Sequence, residues 1–217
     1  MTSAAPPRAG PHASARNPAR TRKRILSAAL REFSGKGFAG ARVGQIARRA
    51  RVNKRMLYHY FGNKDDLFRE ILGRKLEERV AWATAAPDEP GETLAHWFEL
   101  ACQDTDWVRL IEWEALAVGD GAVLDEADRR RAFETGVDKV KIIQSKGLLP
   151  GDLDPRHLLL SMIALTTFPL AFPQITRLVT GRSPAEPGFQ QQRADFLRRF
   201  AESFRPQAQG ADTAHAS

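Results

Sequence analysis

Two short helical patterns joined by a tight connection, between residues 42 and 64, constrain this chain more than any other stretch. In the first pattern, apolar residues recur at i, i+3, i+4 and i+7 and share one helical face: Val43, Ile46, Ala47 and Ala50. The same spacing relates three residues of the second: Leu57, Tyr60 and Phe61. Asn53 precedes the second pattern and is a preferred N-cap, because its side chain accepts from an exposed backbone N–H. The stretch therefore predicts a helix-turn-helix.

The polar side of the second predicted helix has the chemistry of a groove-reading helix. Its outward residues are Lys54, Arg55, Met56, Tyr58 and His59. They offer cationic, hydroxyl and imidazole donors, which can bond to base edges and phosphates of DNA.

Charge is divided unevenly along the chain. Residues 1–64 contain 15 Lys and Arg and a single acidic residue, Glu32, whereas residues 65–217 contain 18 basic and 25 acidic residues. A solvated basic face and a basic membrane-surface helix are the alternatives. The basic residues surround short folded helices and do not line one long amphipathic helix, so the pattern favours a polyanion as partner.

The stretch GFAGARVGQIARRARVNKRMLYHYFGNKDDL resembles the DNA-binding signature of the tetracycline-repressor (TetR/AcrR-type) family of regulators. The resemblance extends from about Arg22 to Leu72. The I-A-x-x-A and L-Y-x-Y-F-x-N-K-x-x-L segments are its most specific parts. The chain departs from the family's usual residues at Ala41, Arg42, Arg51 and Asn53.

The resemblance implies a ligand-responsive transcriptional repressor. The resemblance also implies a homodimer joined by a four-helix bundle of the last two long helices. Such a dimer would bind an inverted-repeat operator in double-stranded DNA and be released from it by a small-molecule inducer. The positions that match the family's DNA contacts are Arg42, Asn53, Lys54, Arg55, Met56, Tyr58, His59 and Lys64. Arg51 stands where the family has a glycine in a left-handed turn, a conformation that costs a non-glycine residue roughly 1–2 kcal/mol.

Helical patterns and the absence of alternating β-branched runs predict an all-α fold of about nine helices. We expect a disordered basic arm over residues 1–16, a three-helix DNA-binding domain over 17–66, a helical ligand-binding and dimerisation domain over 67–204, and a disordered tail over 205–217. Asn17-Pro18 begins the first helix, which ends near Gly35 or Gly37. The basic residues at its start either touch phosphates or enter a neighbouring minor groove, or they form a solvated arm: Arg16, Arg20, Arg22, Lys23 and Arg24.

Six further helices are predicted after the helix-turn-helix. One begins after the N-cap Asn63 and reaches about Ala85; the next three cover about 92–103, 107–118 and 122–146. Asp154-Pro155 opens an apolar helix that Pro169 and Pro173 must kink or end. Ser183 and Glu186 resemble a capping box before the final helix.

Other chemistry has little support in the sequence. The five histidines lack metal-ligand spacing, no hydrolase, P-loop or zinc-protease motif occurs, and no cofactor is expected. Gly35–Gly40 matches G-x-G-x-x-G, but a helix and not a strand precedes it. The single cysteine, Cys102, fits a reducing compartment and is expected to be a packed thiol. No apolar run of about 18 residues and no secretory segment is present, so we expect a cytoplasmic, nucleoid-associated protein without membrane contact. A helical enzyme without DNA affinity is the alternative.

An acidic residue lies on an apolar face in the second half. Glu114 shares a predicted helical face with Trp107, Leu110, Ile111 and Val118. Either it pairs with an Arg or Lys of a neighbouring helix, for example in the Arg129–Arg131 run, or it lines an aromatic inducer pocket, in which it accepts a hydrogen bond or binds a cationic group. The other residues of that predicted pocket are Trp97, Trp107, Trp113, Phe133 and Phe168.

Apolar surface near the end of the chain indicates the dimer interface independently. Residues 158–165 are nearly apolar on all sides, and the last helix carries four phenylalanines in one stripe: Phe189, Phe196, Phe200 and Phe204. Monomers rarely leave such surfaces in water. The alternative is that the core of one chain consumes both faces.

Overall fold

A kinked helix opens the part of the chain that the structure, a computed structural model, describes, which is residues 18–204. Helix α1 spans Pro18–Gly40 and is interrupted at Gly37, where φ is 67° and ψ is 173°. The predicted end near Gly37 is therefore the interruption. The expected arm and tail, with Arg16 and Asn17, lie outside the described residues.

The helix-turn-helix forms on the side of α1. Helix α2 spans Val43–Arg49 and α3 spans Lys54–Phe61. Asn53 caps α3 as expected, because its side chain accepts from the Met56 N–H at 2.7 Å. The periodic apolar residues of α2 and α3 are buried against α1 in one cluster, which includes Ile25, Ala29, Phe33, Ile46, Ala47, Ala50, Leu57 and Phe61.

Helix α4, Lys64–Ala85, joins this cluster to the second half of the molecule. Asn63 caps it by accepting from the Asp66 N–H at 2.8 Å, and its carboxyl end at Ala85 is where the sequence predicts it. Its first turns bury Leu67, Phe68, Ile71 and Leu72 in the cluster around Phe33.

Six helices form the second half: α5 (Pro90–Gln103), α6 (Thr105–Val118), α7 (Glu126–Ser145), α8 (Pro155–Ala171), α9 (Pro173–Thr180) and α10 (Pro187–Glu202). Its core lies between α5, α7, α8 and α10 and includes Phe98, Val140, Ile143, Leu159, Phe189 and Leu197. Residues 18–204 thus contain ten helices and no strand, which confirms the all-α class. The additional helix is α9, which begins at Pro173 as a separate segment.

Two boundaries differ from the sequence prediction. Helix α7 begins at Glu126 and not near residue 122, because Gly119 and Asp125 have positive φ angles of 59° and 53° that keep residues 119–125 out of a helix. The Ser183–Glu186 pair forms a turn ahead of α10, in which the Ser183 N–H donates to the Glu186 carboxylate at 2.9 Å. This turn precedes the helix, which begins at Pro187.

Pro169 remains inside α8 because its missing hydrogen bond is replaced. A proline at this position cannot donate to the carbonyl four residues earlier, which belongs to Leu165. Arg193 of α10 donates its Nη2 to that carbonyl at 2.9 Å. Thr176 of α9 in turn donates to the Pro169 carbonyl at 3.0 Å. The proline therefore helps to bind α8, α9 and α10 together.

No single helix within residues 18–204 is long and apolar enough to cross a membrane. Only α8 and α9 pass that test of length and composition together, and they are bent by 88° where they join.

Glu32, the acidic residue of the basic segment, is buried in α1 with 2% of its side chain exposed. Its carboxylate accepts from Lys36 at 2.9 Å, lies 3.8 Å from Arg49 and accepts weakly from the Arg42 N–H at 3.5 Å. Burial by itself would raise the pKa of Glu32, but these donors outweigh it and hold the pKa below its ordinary value. One carboxylate therefore fastens α1 to both ends of α2.

We expect Glu32→Gln to lower the free energy of unfolding at pH 7 by about 1–2 kcal/mol, because it removes charge-assisted bonds whose cations stay solvated. A lowered folded-state pKa stabilises only above the unfolded-state value of about 4.3, and the benefit disappears as pH falls through the folded-state pKa. The difference from wild type in urea unfolding should therefore shrink between about pH 5 and pH 3. The exposed Glu77→Gln is the control. A difference that stays constant over this pH range would contradict the ionised role of Glu32.

Candidate nucleic-acid interface and ligand cavity

Helix α3 presents its polar side to solvent. Lys54, Arg55, Tyr58 and His59 are exposed, whereas Met56 is half-buried. Leu57 and Phe61 lie on the opposite side and attach the helix to the core. The side-chain oxygen of Asn53 is engaged in the cap, which leaves its amide group for other contacts. A rigidly seated helix with exposed donors can enter the major groove.

Two basic residues border α3 from neighbouring elements. Lys64, at the start of α4, lies with its Nζ 4.6 Å from the centre of the Phe38 ring and 3.5 Å from the Ala39 carbonyl. Arg42 is the N-cap residue of α2, with an exposed side chain and a backbone N–H directed to Glu32. The eight residues expected to contact DNA therefore belong to one helix-turn-helix and its two flanks.

The turn between α2 and α3 contains a strained arginine. Arg51 has a φ of 53°, the left-handed conformation that its place in the family's pattern predicts. Arg24 of α1 donates to the Ala50 carbonyl through Nε at 3.0 Å and Nη2 at 2.6 Å, and to the Arg51 carbonyl at 2.9 Å. Bonds of this kind contribute on the order of 1 kcal/mol each, enough to offset the strain.

Two of the basic residues near the start of α1 are thus engaged in the fold. Arg24 holds the turn, and Arg22 pairs with Glu70 at 2.8 Å and lies 5.1 Å from the Phe61 ring centre. These contacts differ from the expectation of a solvated arm, and a phosphate or minor-groove contact of either residue stays a prediction. Lys23 between them remains exposed.

A cavity of about 370 Å³ lies between α4, α5, α6, α7 and α8. Three of the six predicted pocket residues line it: Trp97, Trp107 and Phe133. Trp82 of α4 lines it too and was missed by the sequence reasoning. The spacing of Leu76, Val80 and Ala83 along α4 could have indicated it, because this apolar face continues past the first cluster.

The other three predicted pocket residues lie elsewhere. Glu114 pairs with Arg129 at 2.7 Å, with 11% of each side chain exposed, which is the salt bridge named above as the alternative. Trp113 donates its indole N–H to the Ser34 carbonyl of α1 at 3.2 Å. Phe168 is 46% exposed and packs on Phe172 with ring centres 4.9 Å apart.

For Trp113 and Glu114 the reason lies in the helical phase of α6, which contacts other parts of the molecule on two sides. One side lines the cavity with Val108, Ile111, Glu112 and Ala115. The other faces α1 with Asp106, Leu110 and Trp113. The predicted stripe through Trp107 and Glu114 spans both sides, so it could not separate cavity residues from contact residues.

The polar groups of the cavity are arranged around charge pairs. Arg79 of α4 donates to the Asp104 carboxylate at 2.8 Å and stacks on Trp82, with its guanidinium 4.0 Å from the ring centre. Glu112, another residue that sequence reasoning missed, lines the cavity from α6. Burial raises the pKa of Glu112, and Arg109 opposes that rise only in part.

Helix α6 also joins the two halves of the molecule. The Ser34 hydroxyl donates to the Asp106 carboxylate at 2.7 Å, and Trp113 packs on Gly37. A Cβ atom at Gly37 would lie 3.0 Å from two atoms of the Trp113 ring. Glycine is therefore required here for two reasons, this close contact and the positive φ of the backbone. We call this set, Ser34, Gly37, Asp106 and Trp113, the α1–α6 joint.

The fold and these two sites define a class of protein: a helix-turn-helix DNA-binding protein with an internal ligand cavity. The family model described as "Bacterial regulatory proteins, tetR family" matches residues 25–71, and the model described as "Tetracyclin repressor-like, C-terminal domain" matches residues 92–202. The chain belongs to the TetR family, and it is a ligand-responsive DNA-binding transcriptional regulator. The resemblance stated from the sequence is confirmed.

Relatives cover most of the chain. The transcriptional repressor SCO4008 of Streptomyces coelicolor is 30% identical over 171 residues, 79% of this chain and 89% of that protein. The regulator RutR of Escherichia coli is 30% identical over 200 residues, 85% and 91% of the two chains. The solved structure of SCO4942 from Streptomyces coelicolor is 26% identical, has a TM-score of 0.71, and covers 86% of this chain and 99% of that one.

We expect Arg51→Gly to raise the free energy of unfolding by up to about 1 kcal/mol, because relief of left-handed strain exceeds the entropy that glycine adds to the unfolded chain. The control is Arg48→Gly, an equally exposed arginine in the helical part of α2, which should lose about 1 kcal/mol. Chemical unfolding measures both. A destabilised Arg51→Gly would show that the Arg51 side chain contributes more than its backbone costs.

Proposed function

We propose that this chain is a repressor that binds an inverted-repeat operator as a homodimer and releases it when a small molecule fills the cavity. The observation that supports this most is the position of α6, which lines the cavity on one side and contacts α1 through the α1–α6 joint on the other. The relative SCO4008, which is named as a transcriptional repressor, supports the direction of regulation.

Release would follow from competition between two arrangements of the second half. A ligand shifts a protein only by binding one arrangement better than another. Expansion of the cavity would displace both α6 and α4, since both line it. Because α4 begins beside α3 and α6 bears on α1, such a shift would change the separation of the two reading helices in a dimer.

The proposed division of the chain places the boundary inside α4, with a DNA-binding domain over 17–66 and a ligand-binding domain over 67–204. The relatives reported above are named as regulators, and we propose that the cavity binds its ligand without transforming it. A regulator of this kind acts on the chromosome, in the cytoplasm.

On DNA, we assign Lys54, Arg55 and His59 of α3 to base edges and Arg42, Tyr58 and Lys64 to phosphates, with Asn53 and Met56 at the edge of the contact. Arginine pairs with both O6 and N7 of guanine, so Arg55 is the proposed determinant of sequence preference. For a simple helix-turn-helix dimer the half-sites lie about 34–36 Å apart, or a multiple of that distance.

The proposed dimer interface is the outer surface of α8 and α10. Leu160 and Phe168 of α8 are 63% and 46% exposed, and Phe196 of α10 is 47% exposed. Phe196 stacks on Phe200 at 5.4 Å and Phe200 contacts Phe204 at 4.9 Å, so the three rings form an aromatic row. Phe189, the fourth member of the predicted stripe, is instead buried against Phe98. A row whose outer rings, Phe196 and Phe204, are 47% and 46% exposed favours a second copy as its cover.

A nuclease footprint on the DNA upstream of the gene that encodes this protein tests the proposal. We expect protection of two symmetric half-sites, with an affinity that falls steeply with salt. Sequence-independent affinity, or protection of a single half-site by a monomer, would contradict it.

In operator variants, Arg55→Ala should relax the preference at one base pair per half-site, at a cost of about 1–3 kcal/mol on the preferred base. The control is Arg177→Ala, an exposed arginine on α9. Affinities for the set of operator variants measure the effect. Equal weakening on every sequence would assign Arg55 to a phosphate.

Phe196→Arg combined with Phe200→Arg should convert the dimer to a monomer and abolish specific binding, because four buried charges would face each other across the two-fold axis. Light scattering measures the mass. The control is Leu116→Arg on α6, where the side chain is 81% exposed, and this variant should stay dimeric. A double variant that remains dimeric would place the interface elsewhere.

A further inference from the structure

The charges around the cavity balance except at one residue. Arg79 belongs to a chain of four groups on α4 and Asp104, in which Glu78 pairs with Lys75 at 2.8 Å, Lys75 with Asp104 at 3.1 Å, and Asp104 with Arg79 at 2.8 Å. Two cations meet two anions, so the chain is neutral. Arg129, the second arginine of the lining, is neutralised by Glu114.

Glu112 is the exception. Within residues 18–204 no cation lies within 4.0 Å of its carboxylate. Arg109, one turn earlier on α6, is exposed and attracts it only from a distance. The threonines of the lining do not compensate, because Thr166 and Thr167 donate their hydroxyls to carbonyls of α8. A carboxylate on an apolar wall without a partner is costly.

The remaining wall is aromatic and suits a cation as well. Arg79 already stacks on Trp82 and lies 5.6 Å from the Trp107 ring centre. Trp97 and Phe133 line the same cavity and carry no such cation among the described residues. The faces of aromatic rings attract cations, most strongly where water is excluded.

We propose that the ligand of this cavity is an apolar organic cation whose ammonium group pairs with Glu112. The proposal rests on the proposed role of the cavity as the inducer site. An anionic ligand would have to draw Arg79 from Asp104 or Arg129 from Glu114, whereas a cation completes a charge balance without breaking a pair. Glu112 thus has the role that sequence analysis considered for Glu114, two residues later on α6, namely to pair with a cationic group of the ligand.

Three probes with one hydrocarbon part test this: 4-phenylbutylamine, 4-phenylbutanol and 4-phenylbutyrate, titrated into the full-length wild-type protein by calorimetry. We expect the protonated amine to bind about tenfold tighter than the alcohol or more, and the carboxylate to bind weakest. Tighter binding of the carboxylate, equal binding of amine and alcohol, or a dissociation constant for the amine above about 10 mM would each overturn the proposal.

Two variants locate the effect. Glu112→Gln should bind the amine no better than the alcohol, whereas Glu77→Gln, on the exposed side of α4, should keep the wild-type preference. Thermal unfolding without ligand checks that both fold. An amine preference that survives in Glu112→Gln overturns the assignment to Glu112.

The titrations contain no DNA, so they are independent of the operator footprint. If wild type protects its operator and the amine preference is absent, the ligand class is wrong and the regulator stands. If the amine preference is present and no operator is protected, the proposed regulator fails while the cavity chemistry stands.

Discussion

The α1–α6 joint is the contact through which α6, one wall of the cavity, packs on the DNA-binding half of this molecule. It consists of a hydroxyl–carboxylate bond between Ser34 and Asp106, an indole bond from Trp113 to the Ser34 carbonyl, and the close contact of that indole with Gly37. Leu110 adds an apolar anchor, since it is buried in the core of the DNA-binding half. The interruption of α1 at Gly37 is therefore also the place where α6 packs on α1.

Several residues break a local rule, and contacts from other side chains compensate for each. Arg51 adopts a left-handed conformation, and Arg24 of α1 bonds to the carbonyls beside it. Pro169 removes a helical hydrogen bond, and Arg193 of α10 supplies it. Glu32 is a buried carboxylate among basic residues that bond to it. For Arg51 and Pro169 a charged side chain from another helix bonds to backbone carbonyls, and for Glu32 the donor Lys36 lies on the same helix while Arg49 approaches from α2.

Residue patterns sufficed to predict the helix-turn-helix and most helices of the second half, but not which faces of those helices line the cavity. Between Val43 and Phe61 the buried face repeats at helical spacing and the cap at Asn53 is local, so sequence order carries the information. In α6 two covered faces lie side by side, and their division between cavity and α1 depends on how the helix rotates in the fold. The sequence therefore assigned Trp97, Trp107 and Phe133 to a pocket whose walls they form, yet selected Glu114 in place of Glu112. The Pro169–Arg193 contact likewise depends on tertiary structure alone.

We propose that the α1–α6 joint transmits ligand binding in the cavity to the DNA-binding half, and the coupling between the affinities for cavity ligand and operator DNA measures that transmission. A cavity ligand, chosen because it raises the melting temperature of wild type, is titrated against operator DNA with wild type, Trp113→Phe and the α6 surface control Leu116→Ala. Allosteric coupling is reciprocal, so it is read as the change in DNA affinity at saturating ligand. We expect Trp113→Phe to retain the separate affinities for ligand and for DNA and to lose most of the coupling, with Leu116→Ala like wild type. Full coupling in Trp113→Phe would contradict the proposed role of the joint in transmission. A loss of ligand affinity in this variant would show that Trp113 contributes to ligand binding in the cavity.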